Sequence, residues 1–321
     1  MIYTGITSLG FPFLILTTGG TNLVRADGSP KFSMACTLTG AIINTILDPI
    51  LIFGFHMGIA GAAWATVIGQ VVSGIMVILY LRKFKTVKLT KRKSLRTTYL
   101  NLYRKELFSL GMAPFFNQVS MMVVQIVMNN VLIRYGAKSS YGSDIPLACA
   151  GIITKINMIF FAINIGISQG LQPIISYNYG ARKLDRVREA YLKAAISATI
   201  ISTVSFICFQ LFPRQIIGIF GSESEAYFRF AEKFFRIFLF CTFINGLQPI
   251  TANFFTAIGK ANRGIFLSLT RQVIFLLPLM IILPIFFGIE GVMFSAPIAD
   301  GFAAVCAITF AVKELRSFQK F

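Results

Sequence analysis

The sequence has a single histidine, His56, and only twelve Asp and Glu against thirty Lys and Arg. Charged residues make up 13% of its 321 positions, where a soluble domain carries roughly 25%. With 55% hydrophobic residues and a mean hydropathy of +0.73, the chain cannot cover itself with polar surface, which excludes an ordinary water-soluble enzyme. No Ser-His-Asp or HExxH pattern surrounds the lone histidine, so there is no recognisable catalytic centre and the protein is not expected to be an enzyme. The five cysteines (Cys36, Cys149, Cys208, Cys241 and Cys306) lie in apolar stretches without CxxC or metal-ligand spacing. They read as small buried hydrophobes, and no cofactor is expected.

What is abundant is long apolar runs. A bilayer core needs about 20 mostly apolar residues per helix. Nine such spans can be drawn, at roughly 3–19, 33–54, 59–81, 107–134, 146–175, 190–212, 228–257, 265–287 and 289–312. The first has neither a basic leading segment nor an A-x-A-like site, so it does not read as a signal peptide. The fold expected is an all-α polytopic membrane helix bundle.

The net charge of +18 is not spread evenly. One set of alternate connections, with the C-terminal tail, holds 21 of the 30 Lys and Arg, ten of them between Arg82 and Lys105. The opposite set holds Lys138, Arg214 and His56, together with the acids Asp144, Glu223, Glu225 and Glu290. This is the positive-inside pattern, and it places the C-terminus and the 82–105 segment in the cytoplasm of a multi-pass cell-membrane protein. Aromatic residues do not alternate with the Lys and Arg of that segment as single-strand binders require, so nucleic acid is not an expected partner. A linker lying near anionic headgroups is.

An internal repeat runs at an offset of 230–231 residues: Asn22 pairs with Asn253, Gly28 with Gly259, and the GIAG run from Gly58 with the GIEG run from Gly288. Spans one to three therefore resemble spans seven to nine, as a parallel repeat about an axis along the membrane normal. Three more spans, from about Glu106, precede the second copy. The matching stretch of the first copy would begin about 125 residues before Met1, so three helices of the first lobe are expected to lie outside this sequence. The expected organisation is 1–83 as part of an N-terminal lobe, 84–105 as a basic cytoplasmic linker and 106–321 as a six-helix C-terminal lobe.

Five segments carry a family resemblance: RADGSP from Arg25, NTILDPILIF from Asn44, GIAGAAWAT from Gly58, QPIISYNYGAR from Gln172 and AIGKAN from Ala257. They resemble the MATE (multidrug and toxic compound extrusion) transporters, in particular the MepA-like bacterial branch. The resemblance covers essentially the whole chain and implies a two-lobe architecture with nine of twelve helices present. It further implies secondary active export of cationic amphipathic compounds in exchange for H⁺ or Na⁺, by alternating access between the lobes, in a protein that is monomeric at full length. A lipid-linked-precursor flippase of the same superfamily and a nonfunctional half-transporter are the alternative readings.

Asp48 is the sharpest functional candidate. A carboxylate within a span costs about 2.5–3.5 kcal/mol on insertion scales and by default marks an ion or proton path. Asn44 shares its helical face four residues earlier. Pro49 cannot donate to the Thr45 carbonyl, which leaves that oxygen available. Thr66 lies as far after a turn centred near Met57 as Asp48 lies before it, so the two should sit at similar depth. These are hard oxygen ligands suited to Na⁺, and the carboxylate alone could carry a proton. The resemblance assigns ion coupling to Asn44, Asp48 and Thr66. In the repeat, the positions matching Asp48 and Asn44 fall near Pro278 and Ile274, so the acid belongs to the first lobe alone.

Weaker candidates for a substrate cleft are Gln70 on the third span, Gln118 and Gln125 on the fourth, Asn157 on the fifth, Gln248 on the seventh and Asp300 on the last. Gln118 and Gln125 are seven apart and share a face. Asp300 is also a partner for Lys155 or Arg271, and interhelical hydrogen bonding is the competing reading of the amides.

Overall fold

The computed structural model describes residues 2–83, 97–220 and 225–318. Most of those residues are helical, with no strand among them. They form two compact units, Met1–Leu95 and Arg96–Phe321. Residues 84–96 of the basic segment and Glu223 lie outside the described residues.

The first unit contains α1 (Ile2–Ser8), α2 (Phe11–Ala26), α3 (Pro30–Pro49), a π-helical turn at Ile50–Gly54 and α4 (Gly58–Leu81). The expected first span, 3–19, is a correction: it is broken at Leu9-Gly10. Pro12 has no N–H to continue α1, and the N–H groups of Leu9 and Gly10 turn back to Ile6 and Thr7 in tight i−3 bonds. The second unit contains α5 (Thr97–Gly136), α6 (Asp144–Gly180), α7 (Leu184–Leu211), α8 (Pro213–Gly218), α9 (Glu225–Phe238), α10 (Thr242–Asn245), α11 (Leu247–Ala257), α12 (Ala261–Leu269), a π-helical segment at Thr270–Leu276, α13 (Leu277–Phe287) and α14 (Ile289–Phe318). The expected span 228–257 is α9 to α11, bent by 45°. Among the described residues, seven helices are long and apolar enough to cross a membrane, or eight if the bent pair is one span, against the nine read from the sequence.

The core of the second unit follows from side-chain period. On α9, Tyr227, Phe230, Ala231, Phe234 and Phe235 are buried at i, i+3, i+4, i+7 and i+8, a single apolar stripe. The stripe meets Leu132, Ile153, Ile156, Phe209 and Met280. A second cluster at the other end joins Leu171 and Ile175 of α6, Val187 of α7, Phe254 and Phe255 of α11 and Leu267 of α12.

The repeat is visible in the backbone. Gly28 and Gly259 both have φ +79°. The Gly28 N–H bonds the Arg25 carbonyl and the Ser29 N–H that of Val24; 231 residues on, Gly259 bonds Thr256 and Lys260 bonds Phe255. Each is a helix C-terminus closed by a left-handed residue, where glycine avoids the Cβ clash. The α6–α7 turn repeats the pattern, with Arg182 to Tyr179 and Lys183 to Asn178, but places Arg182 at φ +57°.

In the second copy the turn is further held by charge. Glu314 of α14 is buried at 3% exposure and accepts from both Lys260 and Arg263, the latter at 2.6 Å. Replacing Glu314 by Gln removes the buried negative charge and leaves the two half-exposed cations uncompensated. We expect a loss of roughly 1–3 kcal/mol, less than for a fully buried pair because both partners reach solvent, read as a lowered unfolding midpoint in detergent.

Candidate functional site

The candidate ion site is built where α3 and α4 approach most closely. A Cβ on Gly40 would stand 2.7 Å from the Gly69 carbonyl oxygen, and one on Gly69 2.6 Å from that of Gly40. Only glycine permits this approach, the small-residue packing that lets membrane helices meet backbone to backbone. The Ser73 hydroxyl ties the pair by donating to the Cys36 carbonyl at 2.9 Å. Asn44 lies one turn beyond Gly40, and Thr66 three residues before Gly69. The close approach therefore brings the two side chains together across the helix boundary.

Asn44 is the hub. Its amide nitrogen lies 3.5 Å from Asp48 Oδ1 and 3.4 Å from Thr66 Oγ1. Both contacts are long, at the edge of hydrogen-bonding distance. The Thr66 hydroxyl donates to the Ala62 carbonyl at 2.9 Å, so its oxygen faces Asn44 as an acceptor. An amide presents nitrogen or oxygen by a half-turn of its plane. With the oxygen turned inward, Asn44, Asp48 and Thr66 offer three oxygens to one point. Pro49 supplies no N–H to the Thr45 carbonyl, and the Ile50 N–H goes to Leu47. Among the described residues no group of three or more His, Cys, Asp or Glu could hold a metal ion. Among the described residues no Lys, Arg or His lies within 4.0 Å of the Asp48 carboxylate, and its one hydrogen-bond contact among them is with Asn44.

Asn44 and Thr66 open onto a cleft of about 220 Å³ lined also by Leu14, Thr17, Thr37 and Gln70. Thr17 Oγ1 and Gln70 Oε1 are buried without a hydrogen-bond partner. The Gln70 carboxamide fills the break between α1 and α2: a Cβ on Gly10 would come within 2.0 Å of its oxygen. Thr17, Thr37 and Ser73 did not stand out by residue type. A signal was nonetheless present, since Thr66, Gln70 and Ser73 fall at i, i+4 and i+7, a polar stripe on one face of α4.

The second unit places its polar residues differently. Asp300, 4% exposed, is paired with Arg271 and accepts from the Asn245 amide at 3.2 Å. Arg271 lies in the π-helical segment, whose extra residue turns it toward α14. The pairing chosen is thus with Arg271, and Lys155 is exposed. Gln248 is buried and donates to the Leu267 carbonyl at 2.8 Å, tying α11 to α12. Gln125 donates to Asn129 on its own helix at 3.1 Å, Gln118 is exposed and Asn157 is half-buried. Asn164, buried on α6, donates to Ser202 of α7 at 2.9 Å.

With this geometry in view, the chain can be set beside known proteins. The MatE family model matches residues 115–282. The multidrug export protein MepA of Staphylococcus aureus (strain bovine RF122 / ET3-1) is 28% identical over 306 residues, covering 95% of this chain and 65% of the relative. That of Staphylococcus haemolyticus (strain JCSC1435) is 29% identical over 316 residues, covering 98% and 67%. The chain thus spans about two thirds of the length of these curated relatives. Among solved structures, an outward-facing multidrug resistance MATE family transporter superposes with a TM-score of 0.88 at 21% identity, covering 100% of this chain and 70% of that one. A MATE structure in a bent conformation superposes with 0.85 at 20% identity, covering 99% and 69%. The likeness to these structures gives the fold: an all-helical membrane bundle of MATE type. With its model matched over more than half of the sequence, the chain belongs to the MatE family.

Proposed function

We propose that this chain works in secondary active efflux, exporting cationic amphipathic compounds across the cell membrane in exchange for H⁺ or Na⁺, and that Asp48 carries the coupling. The observation behind this reading is a carboxylate in an apolar helix with no cationic partner among the described residues. Asp48 meets Asn44 on its own helix, and Asn44 meets Thr66 across the α3–α4 seam. The relatives' name, multidrug export protein, points to the same class of activity.

Exchange follows from charge. One carboxylate in a low-dielectric setting is stabilised by one positive charge, delivered by a proton, by Na⁺ or by a cationic substrate nearby. Loading one disfavours the others, and a ligand shifts the balance between two conformations only by its differential affinity for them. Mutually exclusive loading of the inward and outward states is antiport. Gln70 and Thr17, with buried oxygens facing the cleft, are assigned to substrate or ion approach. Gln118, Gln125 and Asn157 are kept as cleft residues, and Gln248 and Asp300 are given a packing role. The domain reading is unchanged: residues 1–83 contribute to one lobe, 84–105 form a basic linker on the cytoplasmic side with the C-terminus, and 106–321 form the other lobe of a monomer.

The test is ethidium transport by the chain in proteoliposomes under an imposed H⁺ or Na⁺ gradient. Asp48→Asn is expected to lower gradient-driven flux at least tenfold while the unfolding midpoint stays within a few degrees; unchanged flux would remove Asp48 from the mechanism. Thr66→Val then separates the ions. Loss of a coordinating hydroxyl is expected to cut Na⁺-driven flux tenfold or more and to leave H⁺-driven flux within threefold.

A structural role for Asp300 predicts the opposite signature. Asp300→Asn strands the Arg271 charge in the interior and should cost about 3–5 kcal/mol of stability, whereas replacing both partners by Leu and Met recovers most of it. Flux per folded molecule should be the same in the double variant.

A further inference from the structure

A groove of about 580 Å³ lies between α6 and α7 of the second unit. Ile167, Gly170, Leu171 and Ile174 of α6 and Ala190 and Ala194 of α7 form its floor and walls. Gly170 opens it, since a Cβ there would meet nothing within 4 Å. From Ile167 to Asn178 the groove follows eleven residues of helix, about 16 Å at 1.5 Å per residue, or half of a hydrocarbon core about 30 Å thick.

The charged end is toward the α6–α7 turn. Arg186 and Lys193 of α7 line the groove, with Glu189 between them. Lys193 reaches back one turn to Glu189 at 2.6 Å, which draws its ammonium toward the turn and away from the apolar floor. Arg182, Lys183 and Arg188 are exposed beside it. The rim is therefore net positive and the interior apolar. A cationic amphiphile is repelled there, and an uncharged one finds no use for the rim.

We propose that this groove binds a single anionic phospholipid, with one acyl chain along Ile167–Ile174 and a monoanionic phosphodiester at Arg186 and Lys193. Basic sites between membrane helices at the headgroup level select anionic lipids in this way. Glu189 at the rim favours a phosphodiester of charge −1 over a dianionic phosphomonoester. The groove is formed within the second unit alone, and the proposal does not rest on the transport reading.

The test uses the whole chain in detergent, titrated with phosphatidylglycerol or phosphatidylcholine of matched acyl chains, with one-to-one lipid adducts read by native mass spectrometry. The wild type is expected to hold phosphatidylglycerol at least fivefold more tightly than phosphatidylcholine. Arg186→Gln with Lys193→Gln should bring the two lipids to within twofold. Gly170→Leu, which fills the groove and leaves every charge in place, should weaken both lipids at least threefold. Arg188→Gln, outside the groove, should leave the preference within twofold, and millimolar glycerol phosphate should not compete. Unfolding midpoints of the variants exclude misfolding as the cause. Equal binding of the two lipids by the wild type, an unchanged preference in the Arg186/Lys193 variant, full binding by Gly170→Leu, an equal loss in Arg188→Gln or displacement by glycerol phosphate would each overturn the proposal.

Discussion

Hydrocarbon offers no hydrogen bonds, so every backbone amide within a span has to be satisfied by the chain itself. That constraint makes the described residues helical, and it makes any interruption of a helix informative. Among the described residues, interruptions fall at Leu9-Gly10, after Pro49, around residues 239–241 between α9 and α10, and in the π-helical segment Thr270–Leu276. Each has a polar side chain at or beside it. The Gln70 carboxamide sits against Gly10. Asp48 precedes Pro49. Asn245, in the turn after the 45° bend, reaches Asp300, and Arg271 leaves the π segment to meet the same carboxylate. The polar chemistry of this molecule is thus concentrated where helical regularity fails, which is where freed backbone groups and reoriented side chains can be stabilised by one another.

The two intramembrane aspartates show how the same residue type is put to different ends. Asp300 is enclosed and neutralised by a guanidinium, with an amide completing its shell. Its counter-charge is thus supplied from within the unit. Asp48 is half-buried and, among the described residues, meets only the long contact from Asn44, which itself lines the 220 Å³ cleft. Its desolvation is left partly uncompensated, and an incoming positive charge would relieve it. The contrast in surroundings, rather than the presence of an acid in a span, is what separates the candidate coupling site from the internal brace.

Much of this was legible in the sequence. Helices dominate because apolar runs of bilayer length leave no other solution, and the repeat landmarks Gly28 and Gly259 carry the same left-handed conformation and the same two hydrogen bonds. Asn44, Asp48 and Thr66 meet because i, i+4 spacing and equal distance from a turn are geometric facts. The first span was misjudged because hydropathy is blind to the pairing of Pro12 with a helix-end glycine. The partner of Asp300 stayed open because the choice between Lys155 and Arg271 depends on helix rotation, and a π segment adds a residue that no periodicity count anticipates. Thr17 is not marked by its residue type, because burial without a partner is a property of packing.

The α6–α7 turn bears on how the basic residues are used. Among the described residues, three helix ends close with the same pair of backward hydrogen bonds, at Gly28, Gly259 and Arg182. Two use glycine, which adopts the left-handed region without strain. At Arg182, φ +57° carries a Cβ at a cost of roughly 1–2 kcal/mol. A fold selected for stability alone would place glycine there as well. Arginine at this position sets an exposed cation in the turn that leads into α7, whose Arg186 and Lys193 line the groove. The strain is local to Arg182, and the equivalent turns at Gly28 and Gly259 avoid it.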